Sequence, residues 1–202
     1  MRREQRRWRR LQCATAEASA WVTRRLVGAL QREYGATEDE ALELTAALRR
    51  YGVRRVERDC LGSKGRGYTP TGDPRLLFWR AAQHLISGYK ATYLIQWDDR
   101  SSDRRDLVKV GKIEQYRIAA RARQLGKDFG AVRVLVVAPA VLAPEKELHE
   151  WLDAHRAAPP MGSRGDGFTE WFYAHPRVLG VAVALREFLD GRRRRPPASR
   201  AA

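Results

Sequence analysis

Two short runs of β-branched and aromatic residues restrict the fold more than any other feature of the chain. The first, TYLIQW (residues 92–97), and the second, DLVKVGK (residues 106–112), are separated by the polar segment DDRSSDRR. Two such runs joined by turn-forming residues are typical of an antiparallel hairpin. A third run, AVRVLVVAP (residues 131–139), is nearly continuous in apolar residues, which indicates a strand at the centre of a sheet. We therefore predict a small antiparallel sheet of three strands.

Two helical segments precede these strands. Residues 3–34 contain no proline and carry tryptophan and leucine at intervals that partly suit a period of 3.6, and Gly35 is placed to end the helix. Thr37 followed by Glu40 matches a capping box, in which the two side chains accept hydrogen bonds from free backbone N–H groups at the start of a helix. A second helix is predicted from there to about residue 51, so that the chain begins with a helical hairpin.

The segment LGSKGRGYTPTGDP, which begins at Leu61, has the glycine and proline content of a linker. The predicted division of the chain is a helical N-terminal region, a linker, a compact domain and a disordered basic tail, at residues 1–60, 61–75, 76–190 and 191–202. Within the domain, helices are predicted near residues 76–86, 144–156 and 176–190. The fold class is therefore α+β, with a small three-stranded antiparallel sheet flanked by helices and an N-terminal helical hairpin.

The charge of the chain favours a polyanionic partner. The formal net charge is +15, and 33 of the 39 basic residues are arginine. The planar guanidinium makes bidentate contacts to phosphate, so this excess favours a nucleic acid, either DNA or RNA. A GC-rich genome would also raise the arginine content, and the complete absence of asparagine fits that explanation.

Cysteine spacing and hydropathy indicate the compartment. Cys13 and Cys60 are far apart and form no CxxC motif, so neither a disulfide framework nor a cysteine zinc site is predicted. The longest apolar run, VLVVAPAVLAP, is interrupted by prolines and is too short to span a bilayer. We expect a soluble, cytoplasmic protein that does not associate with a membrane.

Five short motifs follow one another between residues 91 and 173. In chain order they are ATY (91–93), KVG (109–111), RARQL (121–125), EKELH (145–149) and TEWF (169–172). Their order and spacing resemble those of the GIY-YIG nuclease superfamily, and especially its short phage-associated and bacterial branch. The resemblance does not extend to the N-terminal helices.

The resemblance implies an endonuclease that hydrolyses phosphodiester bonds in DNA with the help of a metal ion. It assigns Tyr93 as the general base, Arg121 as the group that holds the phosphate, and Glu145 as the ligand of one Mg²⁺, with Mn²⁺ as an alternative. Lys109 and His149 are further catalytic candidates, although His149 could equally be a partly buried core residue.

An unperturbed tyrosine has a pKa near 10, which is too high for a base at neutral pH. Tyr93 can therefore act as a base only if the metal ion or nearby cations favour the phenolate or polarise the hydroxyl. The sequence offers Lys109, Lys112 and Arg121 as such cations.

Helical periodicity supports Arg121 independently of the resemblance. Ile118, Ala122 and Leu125 form an apolar stripe, Arg121 lies at its border, and Arg123 points away from it. A side chain at the border can be held by packing while its charged end faces a cleft. By the same reasoning the side chain of Glu145 falls at the margin of its own helical stripe.

Several further residues are predicted to contact nucleic acid: Gly111, Lys112, Arg117, Arg123, Lys64, Arg66, Arg192 and Arg193. An arginine-rich surface supports binding whether or not cleavage follows. The alternative function is therefore a non-catalytic nucleic-acid-binding or assembly subunit that retains the nuclease fold. The N-terminal helices are the predicted surface for a protein partner or a homodimer.

Overall fold

The computed structural model describes residues 2–52, 90–97, 107–158 and 170–191. Within these ranges the protein is α+β, with five α-helices and one antiparallel sheet of four strands. The elements are α1 (Arg2–Tyr34), α2 (Glu38–Tyr51), β1 (Lys90–Trp97), β2 (Leu107–Glu114), α3 (Ile118–Phe129), β3 (Val132–Pro139), α4 (Glu145–Trp151), β4 (Trp171–Tyr173) and α5 (Pro176–Asp190). The predicted linker, the predicted helix near 76–86 and residues 192–202 of the predicted tail lie outside the described residues.

The strands are arranged in the order β3-β1-β2-β4, with every neighbouring pair antiparallel. The hairpin of β1 and β2 and the presence of the third strand are confirmed. The predicted position of the third strand is wrong, because β3 lies at an edge of the described sheet and β1 and β2 occupy its centre. The prediction of three strands is also corrected, since the sheet has four. The additional strand, β4, pairs with β2 from Lys109 to Leu107. It contains only three residues, which is too short for an alternating pattern to identify it in the sequence.

The two faces of the sheet pack against different helices. Side chains alternate between the faces of a strand, so neighbours in β1 point in opposite directions. Leu94 and its β2 neighbours Val108 and Val110 lie in the main core with residues of α1, α2, α4 and α5. Tyr93 and Ile95 pack on the opposite face, where Leu125 of α3 covers them.

The N-terminal helices share the main core with the sheet. Gly35, with φ of 65°, follows α1, and the predicted capping box of Thr37 and Glu40 is present at the start of α2. Trp21 of α1 stacks on Trp151 of α4, with ring centroids 5.6 Å apart. The helical hairpin is thus confirmed, and it packs directly against the sheet domain. No helix in these ranges is both long and apolar enough to cross a membrane.

Helices α1 and α5 touch through their backbones. A Cβ atom added at Gly180 of α5 would lie 2.8 Å from the carbonyl carbon of Ala14 and 2.9 Å from the amide nitrogen of Thr15. Glycine therefore permits a helix contact that a larger residue would force apart. The start of α5 is fixed by Pro176 at its first turn and by His175, whose Nδ1 accepts a hydrogen bond from the backbone amide of Arg177 at 3.2 Å.

We expect Gly180→Ala to lower the free energy of unfolding by about 1–3 kcal/mol, because the added methyl group overpacks a backbone contact that cannot easily yield. Gly28→Ala is the matched control, since its methyl group would meet only the flexible end of Arg32. In a helix interior that change should raise stability by about 0.5–1 kcal/mol. Urea denaturation of the two variants measures both effects, and equal changes would contradict the proposed contact.

Candidate active site

The candidate site is built around the close approach of Tyr93 to Gly111. These two residues are paired directly across β1 and β2. A Cβ atom at position 111 would lie 2.5 Å from the Tyr93 hydroxyl oxygen and 2.6 Å from Cζ. The phenol therefore lies directly against the glycine, and only glycine leaves room for it. This explains why a tyrosine on the first strand accompanies a glycine on the second.

Arg121 lies against the Tyr93 hydroxyl, as the helical periodicity of α3 predicted for a side chain at the border of the apolar stripe. Its Nε–H donates to the Tyr93 oxygen at 3.4 Å, and its Nη1 donates to Oε1 of Gln124 at 3.1 Å. Ile118, Ala122 and Leu125 pack beneath it. A guanidinium carries five N–H donors, so three remain available to a ligand in the described part of the chain.

Two carboxylates act on the same hydroxyl. Burial raises the pKa of Tyr93 above its ordinary value, and the charges of Glu170 and Glu145 raise that pKa further. The hydrogen bond and the charge of Arg121 oppose this change but do not cancel it. Tyr93 is 2% exposed. Arg121 thus favours the phenolate, but desolvation of the buried hydroxyl outweighs this effect and the pKa of Tyr93 remains raised.

Glu145 is the first residue of α4 and is half-buried. No salt bridge or hydrogen bond joins its carboxylate to another side chain in the described ranges. Glu147 on the same helix is by contrast paired with Arg25 of α1. Glu145 is therefore available to a cation, whereas Glu147 joins two helices.

The residues around Tyr93 fit a magnesium ion only if water and substrate supply most of its ligands. The described ranges contain no group of three or more His, Cys, Asp or Glu side chains that could hold a metal ion by themselves. Mg²⁺, however, is commonly bound by one or two carboxylates together with water and substrate phosphates. The carboxylate of Glu145, which pairs with no side chain in the described ranges, suits that mode.

Lys109 is buried beside the site, but it is already neutralised. Its Nζ forms a 2.9 Å ion pair with Glu170 and lies 5.1 Å from the centroid of the Trp171 ring. This contact joins β2 to the residue that immediately precedes β4. The lysine thus fixes Glu170 near Tyr93, and the ion pair leaves little of its charge to act on the hydroxyl.

His149 lies on the other face of the sheet from Tyr93. Its ring packs on Phe172 at 5.3 Å, and its Nε2 is 3.2 Å from the carbonyl oxygen of Val110. Since a carbonyl only accepts, Nε2 carries the proton and donates. Phe172 and Val110 both belong to the main core, so the structure does not bring His149 together with Tyr93 and Arg121.

The other predicted nucleic-acid contacts are distributed over the surface. Lys112 is exposed near the end of β2, and Arg123 is exposed with its Nε donating to the carbonyl of Ala119 on its own helix. Arg117 is exposed and lies 3.6 Å from the carboxylate of Glu114. Four further residues lie outside the described ranges: Lys64, Arg66, Arg192 and Arg193.

Sequence reasoning missed Glu170 and Gln124. Glu170 stands in the TEWF motif, from which no site residue was predicted, and its position beside Lys109 depends on the register of a strand that was not predicted. Gln124 lies three residues after Arg121 on α3, a spacing at which helical side chains meet, so periodicity could have identified it.

Comparison of the chain with models of known protein families, with curated proteins and with solved structures found no match in any of the three. The assignment of a function therefore depends on the residues of the site.

Gly111→Ala should displace the Tyr93 ring and lower the free energy of unfolding by about 1–3 kcal/mol, because the new methyl group and the phenol cannot occupy the same space. Gly126→Ala is the control, since its Cβ atom would only touch Val132 at 4.0 Å. Combining Gly111→Ala with Tyr93→Leu should cost less than the sum of the two single changes. Simple additivity in urea denaturation would show that the two residues do not interact.

The raised pKa of Tyr93 predicts a loss of stability at high pH. The folded protein holds this proton more tightly than the unfolded chain, so the contribution to stability is fully present below about pH 10 and is lost as the pH rises through the folded value. Unfolding measured from neutral to alkaline pH should show a steeper decline for the wild type than for Tyr93→Phe. Tyr173→Phe, which removes an exposed hydroxyl on β4, should retain the decline of the wild type.

Proposed function

We propose that the protein is a metal-dependent phosphodiesterase that cleaves DNA, with an active site of the GIY-YIG kind on the α3 face of the sheet. One observation carries the proposal: the Tyr93 hydroxyl is held against Arg121 while the charges of Glu145 and Glu170 act on it. A tyrosine, an arginine and a carboxylate are the groups that phosphodiester hydrolysis requires for proton transfer, charge stabilisation and metal binding.

Arg121 is the phosphate-binding group in this proposal. Its guanidinium is held in place by Tyr93 and Gln124, so it need not reorganise when a substrate arrives. The three remaining donors match the oxygen atoms of a phosphate, to which arginine donates two parallel hydrogen bonds. The half-exposed position of the side chain leaves these donors accessible.

Tyr93 acts as a neutral proton relay in this mechanism. Its raised pKa keeps the phenol protonated near neutral pH. As the water oxygen bonds to phosphorus, one water proton passes to the Tyr93 oxygen and the original phenolic proton passes to a phosphate oxygen. The bond from phosphorus to the leaving oxygen breaks, and that oxygen takes up the proton that the phenol delivered to the phosphate, while the second water proton stays on the new P–OH group. No free phenolate is required.

Glu145 would hold the metal ion, Mg²⁺ or Mn²⁺. When bound, such an ion supplies positive charge that stabilises the leaving oxygen. Lys109 has a positioning role, because its ion pair fixes the carboxylate of Glu170 beside the relay.

A second candidate function is a nucleic-acid-binding subunit that retains this fold without turnover. The specific observation in its favour is the burial of Tyr93, which is 2% exposed and has a raised pKa. A buried neutral tyrosine bonded to an arginine also serves simply to support the α3 face. Binding through arginine requires no reaction at this position.

The first test is cleavage of single-stranded, duplex and branched DNA, and of an RNA duplex, in Mg²⁺ or Mn²⁺. Tyr93→Phe and Glu145→Gln should each lower the cleavage rate about 100-fold or more while leaving affinity equal or slightly higher, because neither change removes a cation. Arg121→Ala should lower both the rate and the affinity, since its guanidinium contacts phosphate before and during the reaction.

Matched controls separate these effects from a general loss of charge. Lys127→Gln removes an exposed cation from the same helix as Arg121, and Glu150→Gln removes an exposed carboxylate from the same helix as Glu145. Both variants should retain the cleavage rate of the wild type. If the wild type binds these substrates tightly but cuts none of them, the nuclease proposal fails and the binding-subunit function replaces it.

A further inference from the structure

A basic groove lies at the start of the protein, on helices that the resemblance to nucleases does not cover. Four arginines of α1, together with Pro176 at the first turn of α5, line a cavity of about 390 Å³. The four are Arg3, Arg6, Arg7 and Arg10. Their spacing of three, one and three residues places them on one face of the helix. We call this cavity the N-terminal groove.

The charge of the N-terminal groove is not compensated by carboxylates in the described part of the chain. In the described ranges none of its four arginines has a carboxylate within salt-bridge distance. All four side chains are exposed. Further along α1, by comparison, Arg25 is paired with Glu147.

Three electrostatic effects in the groove act in the same unfavourable direction. Arginines three and four residues apart repel one another along the helix. The first turns of α1 carry the positive end of that helix dipole. Pro176 places the positive end of the α5 dipole in the same cavity. An anion in the groove offsets the repulsion among the arginines and is attracted by the positive ends of both helix dipoles, as in phosphate-binding sites at helix N-termini.

We propose that the N-terminal groove binds the sugar-phosphate backbone of a nucleic acid. From Arg3 to Arg10 the helix rises by about 10 Å. Phosphates of one DNA strand follow one another at about 3.4 Å along the duplex axis, so this length of helix matches about three phosphates. Four arginine side chains on that length suffice for a continuous row of contacts.

The shape of the groove favours a nucleic acid over an anionic membrane. A membrane surface is flat on the scale of one helix and contacts convex surfaces, whereas these arginines line a concave cavity between two helices. A strand of phosphates is narrow enough to enter such a cavity. This inference rests on the proposed function only for the identity of the polyanion as a nucleic acid. Binding in the groove does not require cleavage.

The test is equilibrium binding of a short fluorescent DNA duplex in EDTA, where no metal-dependent cleavage occurs, over salt concentrations of about 50 to 200 mM. The double variant R6Q/R10Q removes two groove arginines. The control R24Q/R32Q removes two exposed arginines from the same helix and lowers the net charge by the same amount. The groove variant should weaken binding by tens of fold at about 0.1 M salt and should reduce the slope of log Kd against log salt by about two. The control should change affinity less than about threefold.

Thermal melting shows whether a loss of binding in a variant is caused by a folding defect. Because R6Q/R10Q removes mutually repelling charges, it should melt no lower than the wild type. Adding the DNA duplex should raise the melting temperature of the wild type and of the control more than that of the groove variant.

Several outcomes would overturn the inference. Equal losses in the two double variants would show that only net charge matters, and an unchanged salt slope in R6Q/R10Q would show that the groove does not touch phosphate. Tighter groove-dependent binding to vesicles of phosphatidylglycerol than to DNA would replace the nucleic acid with a membrane. Binding by the groove without cleavage of any substrate would leave this inference standing and overturn the proposed function alone.

Discussion

Burial of β1 on both faces is the constraint on which the rest of the structure depends. The strand lies between β3 and β2, and six of its eight residues are buried. A strand buried in this way requires helices on both sides of the sheet. Helices α1 and α5 cover the face of Leu94, and α3 covers the face of Tyr93. The N-terminal helices are therefore part of the support of the candidate site, although they contribute no residue to it.

The same burial determines the chemistry of Tyr93. Charges interact more strongly where water is excluded, so Arg121, Glu145 and Glu170 all affect one hydroxyl. Burial itself has the largest effect on the pKa, and it favours the neutral phenol. A tyrosine at the surface would experience weaker fields from the same three side chains. The position of β1 thus explains both why the hydroxyl is sensitive to its neighbours and why it stays protonated.

The sequence predicted those features that depend on neighbouring residues along the chain. The capping box of Thr37 and Glu40, the strands β1 to β3 and the orientation of Arg121 on α3 all follow from local spacing, and all are present. The strand β4 and the ion pair between Lys109 and Glu170 could not be predicted in this way. Both depend on how β2 and β4 align, and three residues carry no periodic signal from which to determine that register. The position of His149 on the opposite face depends on how α4 packs against Val110 and Phe172, which local spacing does not show.

The candidate site and the N-terminal groove contrast in their electrostatics. Around Tyr93, opposite charges surround a buried neutral group, and such an arrangement is little affected by dissolved salt because the ions cannot approach it. In the groove, arginines of one sign face solvent, where mobile ions screen them over about 10 Å at 0.1 M salt. On our proposals, salt therefore controls how long a nucleic acid stays bound, and burial controls proton transfer at Tyr93. The two properties can vary independently because they reside on different helices, α1 and α3, which cover opposite faces of the sheet.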